Sequence, residues 1–170
     1  AVGKNTLYNG NASSNTAVGH SVLGWSAGAN NTAVGANCSE GITTGANNTA
    51  VGKSALATNT TASNNNAFGE SALTANTTGS ENNAFGRYAL TTCTTGHNNV
   101  AMGYASLRVL TDGTYNVAIG NYAADALTTG DQNCALGHGA LGATTTASNN
   151  VAVGYNAMGA NSTGANNCAV

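Results

Sequence analysis

An alanine, one apolar residue and a glycine recur down this chain at a nearly fixed interval. The glycine of the triplet stands at Gly3, Gly19, Gly35, Gly52, Gly69, Gly86, Gly103, Gly120, Gly137 and Gly154. Successive spacings are 16, 16 and then 17 seven times. So short a period marks a stacked repeat architecture and rules the reading of everything else. Counted from the alanine of the triplet as position 1, units begin at residues 1, 17, 33, 50, 67, 84, 101, 118, 135, 152 and 169. Residues 1–170 therefore read as a single repeat array. Both ends fall inside the motif, so the array is expected to be a segment of a longer repeat protein.

Within a unit, position 2 is Val, Phe, Met, Ile or Leu, and position 7 is mostly leucine: Leu7, Leu23, Leu56, Leu73, Leu90, Leu107 and Leu141, with Met158 as a variant. A unit this short cannot hold a helix pair, and its density of glycine and asparagine disfavours any helix. Two or three short strands per coil fit. Positions 17 and 2 share strand parity, so Thr49 with Val51, Val117 with Ile119 and Val151 with Val153 lie on one face. Together with the leucine column they are expected to line the interior. Glycine at position 3, and Gly or Asn near positions 13 to 16, are expected to turn the chain. The predicted fold is all-β, a parallel β-solenoid (β-roll or β-helix) of about ten 16–17-residue coils. At ~4.8 Å per coil the stack would be roughly 48 Å long.

Stacking puts equivalent positions above one another, and three columns stand out. Position 16 is asparagine in all ten units: Asn15, Asn31, Asn48, Asn65, Asn82, Asn99, Asn116, Asn133, Asn150 and Asn167. Such a column can form a structural ladder of amide–amide bonds, or serve a left-handed turn conformation, and the two readings are compatible. Position 1 is always alanine. Its parity is opposite to that of positions 17 and 2, so it is expected to face away from the interior. Ala50, Ala67, Ala84, Ala101, Ala118 and Ala135 then become a candidate interface with a sister chain, unless the coil is so flat that both strand faces are internal. Position 4 takes any polarity, which points to solvent. Lys53, Glu70 and Arg87, consecutive in that column, are expected to form a short charge ladder worth ~0.2–1 kcal/mol per pair.

Composition narrows the function classes. A charge of −2 with only four Lys and Arg cannot make the basic stripe that nucleic acid requires. No apolar run approaches the ~20 residues of a membrane span. The bias toward Gly, Asn, Thr, Ser and Ala could signal disorder, but disorder comes with high net charge and without periodic apolar positions. An ordered array is the better reading.

The chemistry-bearing residues do not converge. Cys38, Cys93, Cys134 and Cys168 contain no CxxC pair. Cys134 and Cys168 share a column two coils apart, roughly 9.6 Å, beyond the ~7 Å reach of a disulfide. All four are expected to be small buried thiols. His20, His97 and His138 are too scattered to join in a metal site. The six carboxylates Glu40, Glu70, Glu81, Asp112, Asp125 and Asp131 recur in no catalytic pairing. No catalytic, cofactor or metal residues are assigned, and an enzyme is not expected. Asn11, Asn30, Asn37, Asn47, Asn59, Asn76 and Asn161 match the glycosylation sequon, which matters only in a glycosylated extracellular chain.

The pattern Asn-Thr-Ala-Val-Gly-x-x-Ala-Leu-x-x-x-Thr-Thr-Gly-x-Asn resembles the repeat shafts of phage tail fibres and related extracellular fibre proteins. More loosely, its Ala-x-Gly triplets resemble the head repeats of trimeric autotransporter adhesins, whose unit is shorter. The resemblance covers the whole chain. It implies a left-handed parallel β-roll assembled as a trimer, on a cell or virion surface. The function expected is thus a stiff structural segment of an extracellular or virion fibre, whose partners are copies of itself. One alternative is an adhesin that contacts a host surface or glycan through position 4 and the Thr-Thr columns. Another is an ice-binding solenoid, which would need flat threonine rows; Thr60 and Thr61 are adjacent and point to opposite faces of a strand.

Overall fold

The computed structural model describes residues 1–8, 12–26 and 28–170. Ten short strands form one parallel sheet in sequence order: β1 (Thr16–His20), β2 (Thr32–Ala36), β3 (Thr49–Val51), β4 (Asn66–Phe68), β5 (Asn83–Phe85), β6 (Val100–Met102), β7 (Val117–Ile119), β8 (Cys134–Leu136), β9 (Val151–Val153) and β10 (Cys168–Ala169). A parallel bridge from Val2 to Val18 adds a first rung. Register is strict: Ala50 pairs with Ala67, Ala84 with Ala101, Ala118 with Ala135. The chain is a β-solenoid, each turn returning the triplet onto its own copy one coil below. Nine strand-to-strand steps at ~4.8 Å make the sheet about 43 Å long.

Each coil carries one strand, where two or three were expected. The other sides are held by hydrogen bonds between coils without extended backbone. Leu56 N–H donates to Ala72 O at 2.9 Å, Thr60 N–H to Thr77 O at 3.1 Å, and Asn64 N–H to Ala46 O at 3.1 Å. The reason lies in the backbone angles. Position 5, position 7 and position 15 have left-handed φ in coil after coil, as at Ser54 (55°), Leu56 (52°) and Asn64 (61°). Asparagine and serine tolerate that region. Leucine does so at ~1–2 kcal/mol, which burial of its side chain, ~1.5–3 kcal/mol, offsets.

The glycine of the triplet is required twice over. Gly69 has φ +134°, and a Cβ there would meet the Gly86 carbonyl group of the next coil at 2.6 Å. Coils could not stack at strand spacing with any side chain in that column.

The inside and outside of the strand are reversed relative to the parity expectation. Ala17, Ala33, Ala50, Ala67, Ala84, Ala101, Ala118, Ala135 and Ala152 are all fully buried within the coil. They form one core with the leucine column and with position 6, as Ala55, Ala72, Ala89 and Ala140. Positions 17 and 2 point outward: Met102 and Ile119 are each 41% exposed and Phe85 37%. The interior is too narrow for large side chains from both walls. With leucine filling it from the corner, the strand can contribute only a methyl group, so its bulkier residues turn out.

This packing predicts that Ala84→Leu overfills the core and lowers stability by ~1–3 kcal/mol or more. Phe85→Leu, on the outward face, should change it by less than ~1 kcal/mol. Urea melts of the two variants beside the parent check the assignment.

Candidate functional site

The buried polar chemistry of the chain is concentrated in the position 16 column. Asn31, Asn48, Asn65, Asn82, Asn99, Asn116, Asn133 and Asn150 are buried, Asn15 is half-buried and Asn167 exposed. Asn99 shows the full pattern. Its Nδ2 donates to Asn82 Oδ1 at 3.1 Å and to the Gly113 carbonyl at 2.8 Å. Its Oδ1 accepts the Asn116 backbone N–H at 2.9 Å and Asn116 Nδ2 at 3.1 Å. The same ladder runs from Asn31 N–H on Asn15 Oδ1 to Asn167 Nδ2 on Asn150 Oδ1. The left-handed turn falls on the residue before, at Asn47, Asn64, Asn98 and Asn149, and not on the ladder asparagine.

Sequence reasoning missed a second inward column at position 10. Ile42, Asn59, Asn76, Cys93, Leu110, Leu127 and Thr144 are all buried there. Asn59 and Asn76 cap the carbonyl three residues on, and Asn76 Nδ2 also reaches Asn59 Oδ1 at 3.2 Å. The short ladder stops at Cys93, which leaves Asn76 Oδ1 without a partner. Recurrence of asparagine at Asn59, Asn76 and Asn161 was the available signal.

The candidate alanine interface is internal, so Ala50, Ala67, Ala84, Ala101, Ala118 and Ala135 cannot meet a sister chain. The outward face of the sheet is instead the pair of columns at positions 17 and 2. From Thr16 to Val170 these columns hold Thr, Asn, Cys, Val, Phe, Met, Ile and Leu, and no charged residue. Phe68 and Phe85 stack in it at 4.9 Å and 6°.

The thiols divide along the same line. Cys38 and Cys93 are buried, and burial pushes their thiols up to about 11 and about 12. Cys134 is half-buried and Cys168 exposed, against the expectation of four buried thiols, because position 17 faces out. All four are free. Of the charge column, Arg87 Nε pairs with Glu70 Oε2 at 3.0 Å with both side chains exposed, an arrangement worth ~0–1 kcal/mol; Lys53 is not part of it. Burial raises the Asp125 carboxyl, opposed by Arg108 one coil away.

The threonine columns also separate. At position 11, hydroxyls are spent internally: Thr60 Oγ1 donates to Thr77 O at 3.0 Å, Thr77 to Thr94 O at 3.0 Å, and Thr128 to Thr145 O at 2.9 Å. Position 12, with Thr61, Thr78, Thr95 and Thr129, faces out, its threonine run interrupted by Asp112. Among the sequons, Asn59 and Asn76 are buried, Asn30, Asn37 and Asn47 exposed, Asn161 half-buried, and Asn11 lies outside the described residues. Among the described residues no group of three or more His, Cys, Asp and Glu could hold a metal ion. Among the described residues no helix is long and apolar enough to cross a membrane. Compared with protein-family models, with curated proteins and with solved structures, the chain matches none of them.

Replacing Asn99 by Ala orphans the Asn116 N–H and the Gly113 carbonyl together. The expected loss is roughly 2–5 kcal/mol, whereas Asn83→Ala, which removes an outward amide pair, should cost under ~1 kcal/mol; denaturant midpoints compare them. A second expectation concerns the thiols. In isolated native chains at pH 8, Ellman's reagent should titrate Cys168 quickly and Cys38 and Cys93 only after unfolding. Because the folded Cys93 thiol is raised above its ordinary 9.0, the stability gained by keeping it neutral is complete below pH 9 and drains as pH climbs toward 12. Cys93→Ser should flatten that alkaline decline, measured as unfolding free energy against pH.

Proposed function

We propose that the chain is a structural segment of an extracellular or virion fibre, a stiff rod built from stacked coils. The observation that carries this reading is the buried amide ladder. It ties each coil to the next from inside, while backbone bonds do the same along the strand and corner sides. In a quasi-one-dimensional array, stability is approximately the sum of each repeat's own stability and such nearest-neighbour ties, and coils tied on several sides resist bending apart.

The rod's partners are copies of itself, and they meet through the outward apolar face rather than the alanines. A charge-free band about 40 Å long, apolar at position 2 throughout and at position 17 from Val100 onward, is the kind of surface that marks association. Its side chains recur once per coil, so a surface that meshes with it over its whole length must carry the same axial period. A sister chain has that period by construction, and two or three such bands brought to a common axis cover one another.

Analytical ultracentrifugation tests the reading. The parent is expected to sediment as an elongated oligomer. Met102→Lys with Ile119→Lys places like charges of every copy on the shared face and should yield monomers with an unchanged circular dichroism spectrum. A parent that is monomeric at micromolar concentration would remove the lateral assembly.

A further inference from the structure

Five aromatic rings stand in an unbroken row on the surface of five consecutive coils. Tyr88 meets Tyr104 at 6.0 Å between centroids, Tyr104 meets Tyr122 at 5.2 Å, Tyr122 meets His138 at 5.9 Å, and His138 meets Tyr155 at 5.4 Å. Three of the four pairs are edge-to-face, at 71°, 72° and 66°. Tyr104, Tyr122 and Tyr155 are 36%, 41% and 77% exposed. The row holds four of the chain's six tyrosines, so it is not a sample of the general composition.

The fold does not require it. The same two columns hold Lys4 with Asn5, His20 with Ser21, Ala36 with Asn37, and Lys53 with Ser54 in the earlier coils, which stack equally well. Two of the rings are placed at a cost. Tyr88 and Tyr122 sit at φ 62° and 57°, a region that bulky residues avoid and that other coils fill with serine, asparagine, alanine or glycine. Surface rings set into a left-handed backbone, where smaller residues suffice for the fold, point to a ligand.

The surroundings define the ligand's chemistry. A groove of about 240 Å³ lined by Tyr88, Thr91, Thr92 and Arg108 opens beside the row. Arg87 lies over the Tyr88 ring at 4.5 Å and donates to its hydroxyl at 2.8 Å. Its charge is already answered by Glu70, and Arg108 is opposed by Asp125. The strip is therefore nearly neutral, aromatic, and edged with hydroxyls. Phosphates would find no free basic stripe on it. A lone quaternary ammonium group needs an enclosing cage rather than an open row. A pyranose fits both halves of the surface: its C–H face carries partial positive charge toward the negative face of an aromatic ring, and its rim hydroxyls bond to the hydroxyl groups beside it.

We propose that the row Tyr88–Tyr104–Tyr122–His138–Tyr155 is a binding strip for a neutral, extended polysaccharide lying along the solenoid axis. This inference does not depend on the rod reading; it needs only the row and its neighbours.

The test is affinity electrophoresis and titration calorimetry of the full chain against neutral hexasaccharides of glucose, N-acetylglucosamine, xylose and mannose in β-1,4 linkage and of glucose in α-1,4 linkage. At least one should bind. Tyr104→Asn with Tyr122→Ser uses residues that the array itself places in these columns, so coils should form normally. This variant should bind at least tenfold more weakly, with circular dichroism and sedimentation unchanged. Tyr104→Phe should keep most of the affinity, since it keeps the ring. The proposal is overturned if no hexasaccharide binds, if the double variant binds as well as the parent, or if a twelve-residue oligothymidylate binds the row in place of the sugars. Sedimentation of the same samples reports separately on the rod assembly.

Discussion

The structure depends on a side-chain amide that behaves as backbone. Asn99 and its equivalents offer a carbonyl and an NH₂ group inside the coil, where no water replaces a lost partner, and their partners lie one coil above and below. Each rung therefore demands the same residue in the next rung at the same height. That requirement locks register: a slip of one residue would set a buried amide against a position of other chemistry and orphan donors and acceptors at every level, at ~1–3 kcal/mol each. It also explains where the period can bend. The two 16-residue units lose their residue between the leucine and the asparagine columns, where Leu7 to Asn15 and Leu23 to Asn31 span one residue fewer than Leu56 to Asn65. The ladder itself continues across them.

The period, the parallel stack and the leucine core were legible from spacing alone, because a stack of equivalent positions follows from any strict short repeat. The direction of the strand faces was not. Parity groups positions 17 and 2 together and sets position 1 against them, but parity has no sign. The sign came from hydrophobicity, which favoured burying Val51 and Ile119 over Ala50 and Ala118. In an ordinary two-layer domain that choice would hold. Here the leucine, position 10 and asparagine columns already fill the interior, and volume rather than transfer free energy decides which face turns in. Constancy was the better guide: a position that is alanine in every coil is one where nothing larger fits.

The corners were hidden for a related reason. Left-handed backbone is read from glycine and asparagine, and the sequence shows both at positions 13 to 16. It shows neither consistently at positions 5 and 7, where Ser54, Tyr88 and the leucines adopt φ near 50–60°. Leucine gives no local sign of that conformation because it is imposed from outside the residue, by the core that the side chain fills and by the hydrogen bond its N–H sends to the next coil. The expectation of two or three strands per coil failed with it. A chain that turns left-handed three times in seventeen residues has room for one strand of three.

The columns thus fall into two kinds, and the division bears on where function can reside. Inward positions 1, 7, 13 and 16 are held nearly constant by volume, by the left-handed corner or by the amide ladder, and inward positions 6 and 10 vary only among side chains that fit the buried space, so a change in any of them would be felt by the neighbouring coils. Outward positions are released from those constraints, and position 4 runs through lysine, histidine, alanine, glutamate, arginine, tyrosine and asparagine without disturbing the stack. A recognition surface on such a solenoid has to be written in the released columns, and it has to be written as a run, because one side chain per coil offers too little area alone. The aromatic row meets that condition over five coils, and the charge-free face of positions 17 and 2 meets it over the whole sheet. The two differ in kind. The sheet face is regular along its length and suits a partner with the same period, whereas the row occupies only the coils from Tyr88 to Tyr155 and departs from the repeat, which suits a partner that the repeat does not itself resemble.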